Sequence, residues 1–268
     1  DFSYLAPPNE QSTFTIVSDE ALERDIFIKG VQEIRKEIRA GNLLQAVLSR
    51  RLLATSKLDP LEAYRRLRSA SPSPYLFYID FSSYTILGSS PESLIRLKSG
   101  KASIRPIAGT RRRGQNAEED ESLSKELLAD PKERAEHLML VDLARNDLGK
   151  VSEAGSVRLS RNMEIEEYSH VMHIVSELES QPAAGRTAGD LLRSAFPAGT
   201  VSGAPKIKAM EIISQLEGQA RSFYAGAIGY LDAHGGFDTA IAIRCALVKD
   251  GLWHMQAGAG IVWESKAE

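Results

Sequence analysis

Glu133 and Glu136 stand three residues apart in Asp130-Pro131-Lys132-Glu133-Arg134-Ala135-Glu136. On a helix that spacing projects both carboxylates from one side. Two hard oxygen donors one turn apart suit a divalent cation such as Mg2+. A helix N-terminus alone explains Glu133, because acidic residues are favoured there; it explains Glu136 less well. A second candidate is Ala198-Gly199-Thr200-Val201-Ser202-Gly203-Ala204-Pro205-Lys206, which runs into a helix. Free backbone N–H groups at that terminus, with Thr200, Ser202 and Lys206 nearby, read equally as an anion site or as a glycine-rich connector. The Gly-Lys-Ser/Thr order of a nucleotide P-loop is absent, so a carboxylate is the more natural guest. Gln256-Ala257-Gly258-Ala259-Gly260 sets glycines at alternate strand positions, where a ligand can lie against the main chain. Arg244, inside an apolar run, is either half of a buried ion pair or a two-pronged carboxylate clamp. Tyr224 and His173 also sit in apolar strands, where each alone is more often a core residue than a ligand contact. No Cys/His metal set and no Ser-His-Asp arrangement is legible. The residues alone point to a Mg2+-dependent enzyme or binder acting on a small carboxylate.

These groups need elements to hold them. Asp130 reads as an N-cap, Pro131 as the first helical residue and Glu133 as the third, so a capping pair is available. Ala135, Leu138, Met139, Val141 and Leu143 supply that helix with apolar surface. An earlier helix over 19–40 carries a stripe of Leu22, Ile26, Ile34 and Ile38 and stops at Gly41. The 44–54 stretch reads as a strand with Gln45, Val47 and Ser49 on one face. A helix from Asp59-Pro60 to about Ala70 precedes the breaker Ser71-Pro72-Ser73-Pro74. Strands are predicted over 75–81, 84–87, 94–98, 102–105, 156–159 and 168–178, and helices over 187–196 and 205–216. The arginine-bearing segment 109–121 reads as a solvated loop. The end is strand-rich: 223–232, 237–248 and 252–257, joined by tight glycine turns that imply antiparallel pairing. Blocks of antiparallel strands alternating with helices indicate an α+β fold. Residues 1–18 read as an entry linker and 19–268 as one domain.

Composition excludes several classes. A net charge of −3 over 268 residues leaves no basic excess for nucleic acid. The single cysteine, Cys245, allows no internal disulfide and fits a reducing cytosol. No apolar run approaches a membrane span, and the start is no signal peptide. The opening Asp1 suggests a sequence that begins inside a longer chain.

Taken together, Pro106-Ile107-Ala108-Gly109-Thr110, the helix from Glu133 to Asp147, Ser169-His170-Val171-Met172-His173, Pro197 to Lys206, Asp238 to Arg244 and Gly258-Ala259-Gly260 resemble the chorismate-utilising enzymes. Within that family the pattern is most similar to the large-subunit (component I) branch of the anthranilate synthases. The resemblance implies a largely antiparallel β-sandwich with helices packed outside, here without the family's preceding segment and its C-terminal helix. That helix brings further Mg2+ glutamates, so the resemblance implies an incomplete metal site, and an inactive fragment that keeps the fold is the non-enzyme alternative. Pro72 to Leu76 resembles one half of a tryptophan feedback site, with Ser71 and Leu76 departing from the usual asparagine and methionine.

The resemblance also implies roles. Glu136, with Glu133 close by, holds the Mg2+ that grips the ring carboxylate of chorismate. Glu92 protonates the departing C4 hydroxyl, a use that suits a buried carboxyl. Arg244 and Tyr224 contact the enolpyruvyl carboxylate, aided by backbone N–H groups around Gly258, Ala259 and Gly260. Thr200 is a substrate contact, His173 belongs to pyruvate elimination, and the helix start near Lys206 adds positive charge. Relatives that use water carry an activating lysine where this chain has Gln45, and aminodeoxychorismate synthases carry a nucleophilic lysine where it has Ala108. The expected reaction is therefore attack of ammonia at C2 followed by loss of pyruvate. The alternatives are an enzyme that stops at the amino intermediate, a 2-amino-2-deoxyisochorismate synthase, or an aminodeoxychorismate synthase component I. The implied partner is a glutaminase subunit delivering ammonia in a hetero-oligomer.

Overall fold

A computed structural model describes residues 13–168 and 171–267 of the chain. In order, the elements are β1 (Thr15–Ile16), α1 (Glu20–Arg39), β2 (Gln45–Thr55), α2 (Pro60–Ala70), β3 (Tyr75–Asp80), β4 (Thr85–Ser90), β5 (Ser93–Lys98), β6 (Lys101–Ile104), β7 (Ile107–Arg112), α3 (Ala117–Ala129), α4 (Pro131–Gly149), β8 (Arg158–Glu167), β9 (Val171–Ser180), α5 (Ala188–Ala195), β10 (Gly203–Ala204), α6 (Lys206–Glu217), β11 (Ala227–Leu231), β12 (Phe237–Ile241), β13 (Cys245–Lys249) and β14 (Leu252–Ile261). The strands form two seven-stranded sheets, one ordered β1-β2-β14-β13-β4-β3 with β10 also on β2, the other β11-β12-β5-β6-β9-β7 with β8 also on β9. The α+β class is borne out.

The chain divides into two compact units. The first takes in the described parts of Asp1–Pro91, Thr200–Ile228 and Ala240–Glu268. Its longest ladder pairs β14 with β2, from Leu252 opposite Thr55 to Ile261 opposite Ala46. Ala46 and Leu48 of β2 enter a core with Val31 and Ile34 of α1 and Ala209, Ile212 and Ile213 of α6. The two-residue strand period therefore sends Gln45, Val47 and Ser49 to the opposite face, as their alternation predicts. A second cluster packs Leu87, Ala246, Val248 and Trp253 under Tyr64 and Leu67 of α2.

The second unit comprises Glu92–Gly199 and Gly229–Thr239. Strand β9 lies at its centre, with β8 along one edge and β6 and β7 along the other. Helices α3 and α4 cover β7 and β9, and Leu127 of α3 closes a buried cluster with Met172 and Ile174 of β9. Asp130 caps α4 as expected, its Oδ1 accepting from Lys132 N at 2.9 Å and Glu133 N at 3.3 Å, with Pro131 in the first turn.

Several expectations are corrected. The stretch 109–121 is not a loop: residues up to Arg112 lie in β7, and α3 begins at Ala117. Its arginines are paired, Arg111 with Glu126 and Asp130, Arg112 with Glu119, and Arg113 with Asp120 and Glu167. The run 237–248 is two strands in different sheets, broken at residues 242–244, where Arg244 takes a φ of 49°. Continuous apolarity hid that break, because both strands are buried. Strand β8 runs far past residue 159, and its charged side chains, among them Arg161, Glu164 and Glu166, pair with one another on an edge. The 223–226 stretch turns before β11 begins, and β14 continues through Gly258–Gly260. Of the expected helix stripes, Leu22, Ile26 and Leu138 are exposed; α1 buries Gly30, Val31 and Ile34, and α4 buries His137, Leu140, Val141, Ala144 and Leu148. Of the 1–18 linker, residues 1–12 lie outside the described residues, whereas Thr15–Ile16 pair with β2. Ser169 and His170 also lie outside them.

Candidate active site

In the second unit, α4 presents Glu133 and Glu136 from its first two turns, both half-buried. Burial pushes the Glu136 carboxyl above the usual carboxylate range, and the neighbouring Glu133 adds to the rise. Glu133 also faces Arg111 of β7, Nη1 to Oε1 3.5 Å. Arg111 donates to Asp130 Oδ2 at 2.9 Å as well, so one guanidinium ties the α4 cap and Glu133 to the sheet. Gly109 interrupts the β7–β9 register with φ 75°, and a Cβ there would sit 3.3 Å from Glu133 Oε2. That bulge directs the Gly109 carbonyl at His173 Nδ1, 3.1 Å away, beside Thr110 Oγ1 at the same distance. A carbonyl only accepts, so Nδ1 carries a proton in this contact, and in the neutral tautomer that fits it Nε2 is the acceptor. Tyr168 packs edge-on against the His173 ring, centroids 5.6 Å apart. Glu92, half-buried, opens this unit where the chain passes from β4 in one sheet to β5 in the other.

The sequence reading passed over His137, next to Glu136. It is fully buried, its Nε2 lies 2.7 Å from Ser176 Oγ, and burial lowers its pKa to about 4, so the ring is neutral. A histidine in the second turn of a helix carries no sequence signal of such a partner.

The donor chemistry of Glu133 and Glu136 fits Mg2+. A divalent cation would relieve the like-charge pressure that raises the Glu136 carboxyl. No group of three or more His, Cys, Asp or Glu side chains suited to a metal occurs among the described residues. Two carboxylates, completed by water and substrate oxygens, is a common way for Mg2+ to be held.

The first unit gathers the other candidates. A Cβ on Gly258 would lie 2.9 Å from Tyr224 Oη, and one on Gly260 would lie 2.9 Å from Gln45 Nε2. Glycine at both places lets these side chains reach the β14 backbone. Tyr224 is buried, which raises its phenol pKa; the Arg221 charge and a hydrogen bond with the Gly258 backbone pull it down. Gln45 is 5% exposed, and its Oε1, like Thr200 Oγ1, is buried without a hydrogen-bond partner among the described residues. Thr200 lies in the 3-10 turn Gly199–Val201, and Gly203–Ala204 then pair with β2 before Lys206 opens α6. The glycine-rich segment is thus docked on β2, and the N-cap Pro205 makes no side-chain cap bond. Arg244 is exposed and forms no salt bridge among the described residues, so the buried-ion-pair reading is excluded. Ala259 is exposed between the two glycines.

Comparison with known proteins bears on this arrangement. The family described as "chorismate binding enzyme" matches residues 4–268. The chain belongs to the chorismate-binding enzymes. Among curated members, the anthranilate synthase component 1 of Spirochaeta aurantia is 56% identical over 244 residues, covering 91% of this chain and 51% of that protein. That of Acetivibrio thermocellus is 47% identical over all 268 residues, which make up 54% of its length. The chain therefore spans about half the length of the curated chorismate-binding relatives it matches. The crystal structure of anthranilate synthase component I from Streptococcus pneumoniae TIGR4 superposes with a TM-score of 0.87 at 45% identity, covering 96% of this chain and 56% of that one. The menaquinone-specific isochorismate synthase of Escherichia coli, at 23% identity and a TM-score of 0.80, shares the fold, with 97% of this chain and 59% of that one covered.

Proposed function

We propose that this chain is the chorismate-binding part of an anthranilate synthase large subunit, with residues 19–268 acting as its catalytic domain. The reaction converts chorismate and ammonia to anthranilate, pyruvate and water. The observation that carries this reading among the relatives is position 45. Gln45 is neutral and buried, with a carbonyl oxygen that has no hydrogen-bond partner among the described residues. An amide cannot deprotonate water, as the lysine implied in water-using relatives does, but its oxygen can accept a hydrogen bond from ammonia. Ala108 offers no nucleophile for a covalent route.

Roles follow for the remaining residues. Glu92 delivers a proton to the C4 hydroxyl as it leaves, and His173 Nε2 accepts the C2 proton during pyruvate elimination. Arg244, Tyr224 and the backbone N–H groups along Gly258–Gly260 read the enolpyruvyl carboxylate. Thr200 Oγ1 adds a polar contact, and Lys206 at the α6 start adds positive charge. Glu136 and Glu133 would hold Mg2+, which when bound supplies positive charge for the ring carboxylate. A glutaminase subunit supplies the ammonia. The reading assigns this activity to the cytoplasm, in keeping with the free thiol of Cys245. No described helix is long and apolar enough to cross a membrane.

The complete protein, given chorismate, Mg2+ and an ammonium salt, is expected to accumulate blue-fluorescent anthranilate and an equal amount of pyruvate. Isochorismate, or an aminated product that keeps its pyruvyl group, would overturn the assignment.

A further inference from the structure

Beyond the groups assigned to substrate, the first unit contains a buried ion pair that touches no proposed contact atom directly yet braces several of them. Glu217, the last residue of α6, has a side chain 5% exposed, and that of Arg221 is 17% exposed. Arg221 donates from Nε to Glu217 Oε2 at 2.9 Å and from Nη2 to Oε1 at 2.7 Å. The same guanidinium donates to the carbonyl of Val201 at 2.5 Å and to that of Val47 at 2.6 Å. Glu217 Oε1 further accepts from Ser49 N at 2.8 Å and from Ser49 Oγ at 2.6 Å.

The location explains why two charges are kept there. Along its edge away from β14, strand β2 pairs with β10 at residues 45–46 and with β1 at residues 54–55. The Val47 N–H still bonds the Ser202 carbonyl at 2.8 Å; beyond it no strand among the described residues pairs with the Val47 carbonyl or the Ser49 N–H, and Arg221 and Glu217 bond those two groups instead. Opposite, across the ladder, Ser49 faces Gly258 and Val47 faces Gly260. Val201 follows Thr200 directly. Arg221 also closes the turn to Tyr224, whose N–H donates to the Arg221 carbonyl at 3.1 Å, and its guanidinium carbon lies 5.8 Å from the Tyr224 ring centroid. Ser222 and Ala225 on either side of Tyr224 adopt left-handed conformations, φ 57° and 61°, which need such outside support.

We propose that the Arg221–Glu217 pair is the positioning device of the carboxylate-reading set, fixing Thr200, Tyr224 and the Gly258–Gly260 backbone relative to one another. The claim rests on the chorismate reading above. Arg221 and Glu217 are positioning residues, and their removal leaves every proposed contact residue present but misplaced. Loss of ground-state and transition-state binding alike raises KM with little change in kcat.

The test uses the complete protein and chorismate as ligand. Arg221→Lys and Glu217→Gln are expected to raise KM and Kd for chorismate about 10-fold or more, with kcat at saturation changed by less than about 3-fold. Methylguanidinium added to Arg221→Ala is expected to bring KM back toward the parent value, a recovery that loosened packing alone would not give. Ser49→Ala keeps both charges and removes one bond to Glu217; it decides the matter where a charge variant fails to fold, and its KM is expected to rise by a smaller factor. Folded variants with a lower Tm but a KM within about 2-fold of the parent would overturn the proposal and leave the pair a stabilising brace only. Arg244→Ala separates the two claims. If it weakens chorismate binding while the Arg221 and Glu217 variants do not, the positioning role fails alone; if the parent binds no chorismate, both fall.

Discussion

At the scale of single residues, the α4 carboxylates carry the sharpest expectation. Burial and the neighbouring Glu133 both disfavour the charged form of Glu136, so replacing it with a neutral amide should relieve the metal-free protein while abolishing cation binding. Glu136→Gln is expected to leave the fold intact, to raise the metal-free Tm by a few degrees and to remove the Mg2+-dependent rise in Tm shown by the parent. A variant that keeps the Mg2+-induced shift would take Glu136 out of the metal site. Glu92→Gln is expected to lower kcat at least about 100-fold, the range for loss of a general acid, with chorismate affinity nearly unchanged. A rate close to that of the parent in single-turnover measurements would remove the acid role. Spacing alone suggested Glu133 and Glu136, whereas no spacing hinted at Arg111, which reaches Glu133 across from a strand.

At the scale of elements, α3 is locked to the end of β7 by charge. Asp120 accepts from Arg113 and from the Gly114 N–H at 2.6 Å, and these bonds hold its carboxyl down to about 2 against an ordinary 3.8. A depressed carboxylate contributes stability that is fully present above its unfolded pKa and disappears as pH falls through its folded one. The stability gap between the parent and Asp120→Asn is therefore expected at neutral pH and should shrink as pH drops from about 4 to about 2. Denaturant titrations at several pH values would show it, and a gap independent of pH would contradict it. This contact also explains why the 109–121 segment misleads a reader of sequence. Three successive arginines look solvated until partners from α3, α4 and β8 are placed beside them. Helix caps outside that segment behave differently: Asp19, Asp59, Asp130 and Thr187 all bond the helix starts that follow them, because capping is settled within a few residues.

At the scale of the whole molecule, Cys245 offers a reporter. It begins β13 just after the strand break at Arg244, and burial pushes its thiol up to about 12. The native protein is expected to resist a thiol reagent until global unfolding, so labelling should follow the denaturation curve. Fast labelling of one thiol per chain without denaturant would show that the Ile241–Cys245 passage opens locally. That passage is also where sequence and tertiary structure part company. The sequence by itself determined the α+β class, the helix starts at Asp19, Asp59, Asp130 and Thr187, the alternation that turns Gln45, Val47 and Ser49 away from the α1 and α6 core, and the family motifs, since each depends on neighbours a few positions apart. Only the tertiary structure decided that one apolar run serves two sheets, that Gly258 and Gly260 make room for Tyr224 and Gln45, and that Arg221 and Glu217 bond the β2 main chain at Val47 and Ser49. Those outcomes depend on residues distant in the chain being packed together, and a local pattern carries no record of which distant surface will fill the space beside it.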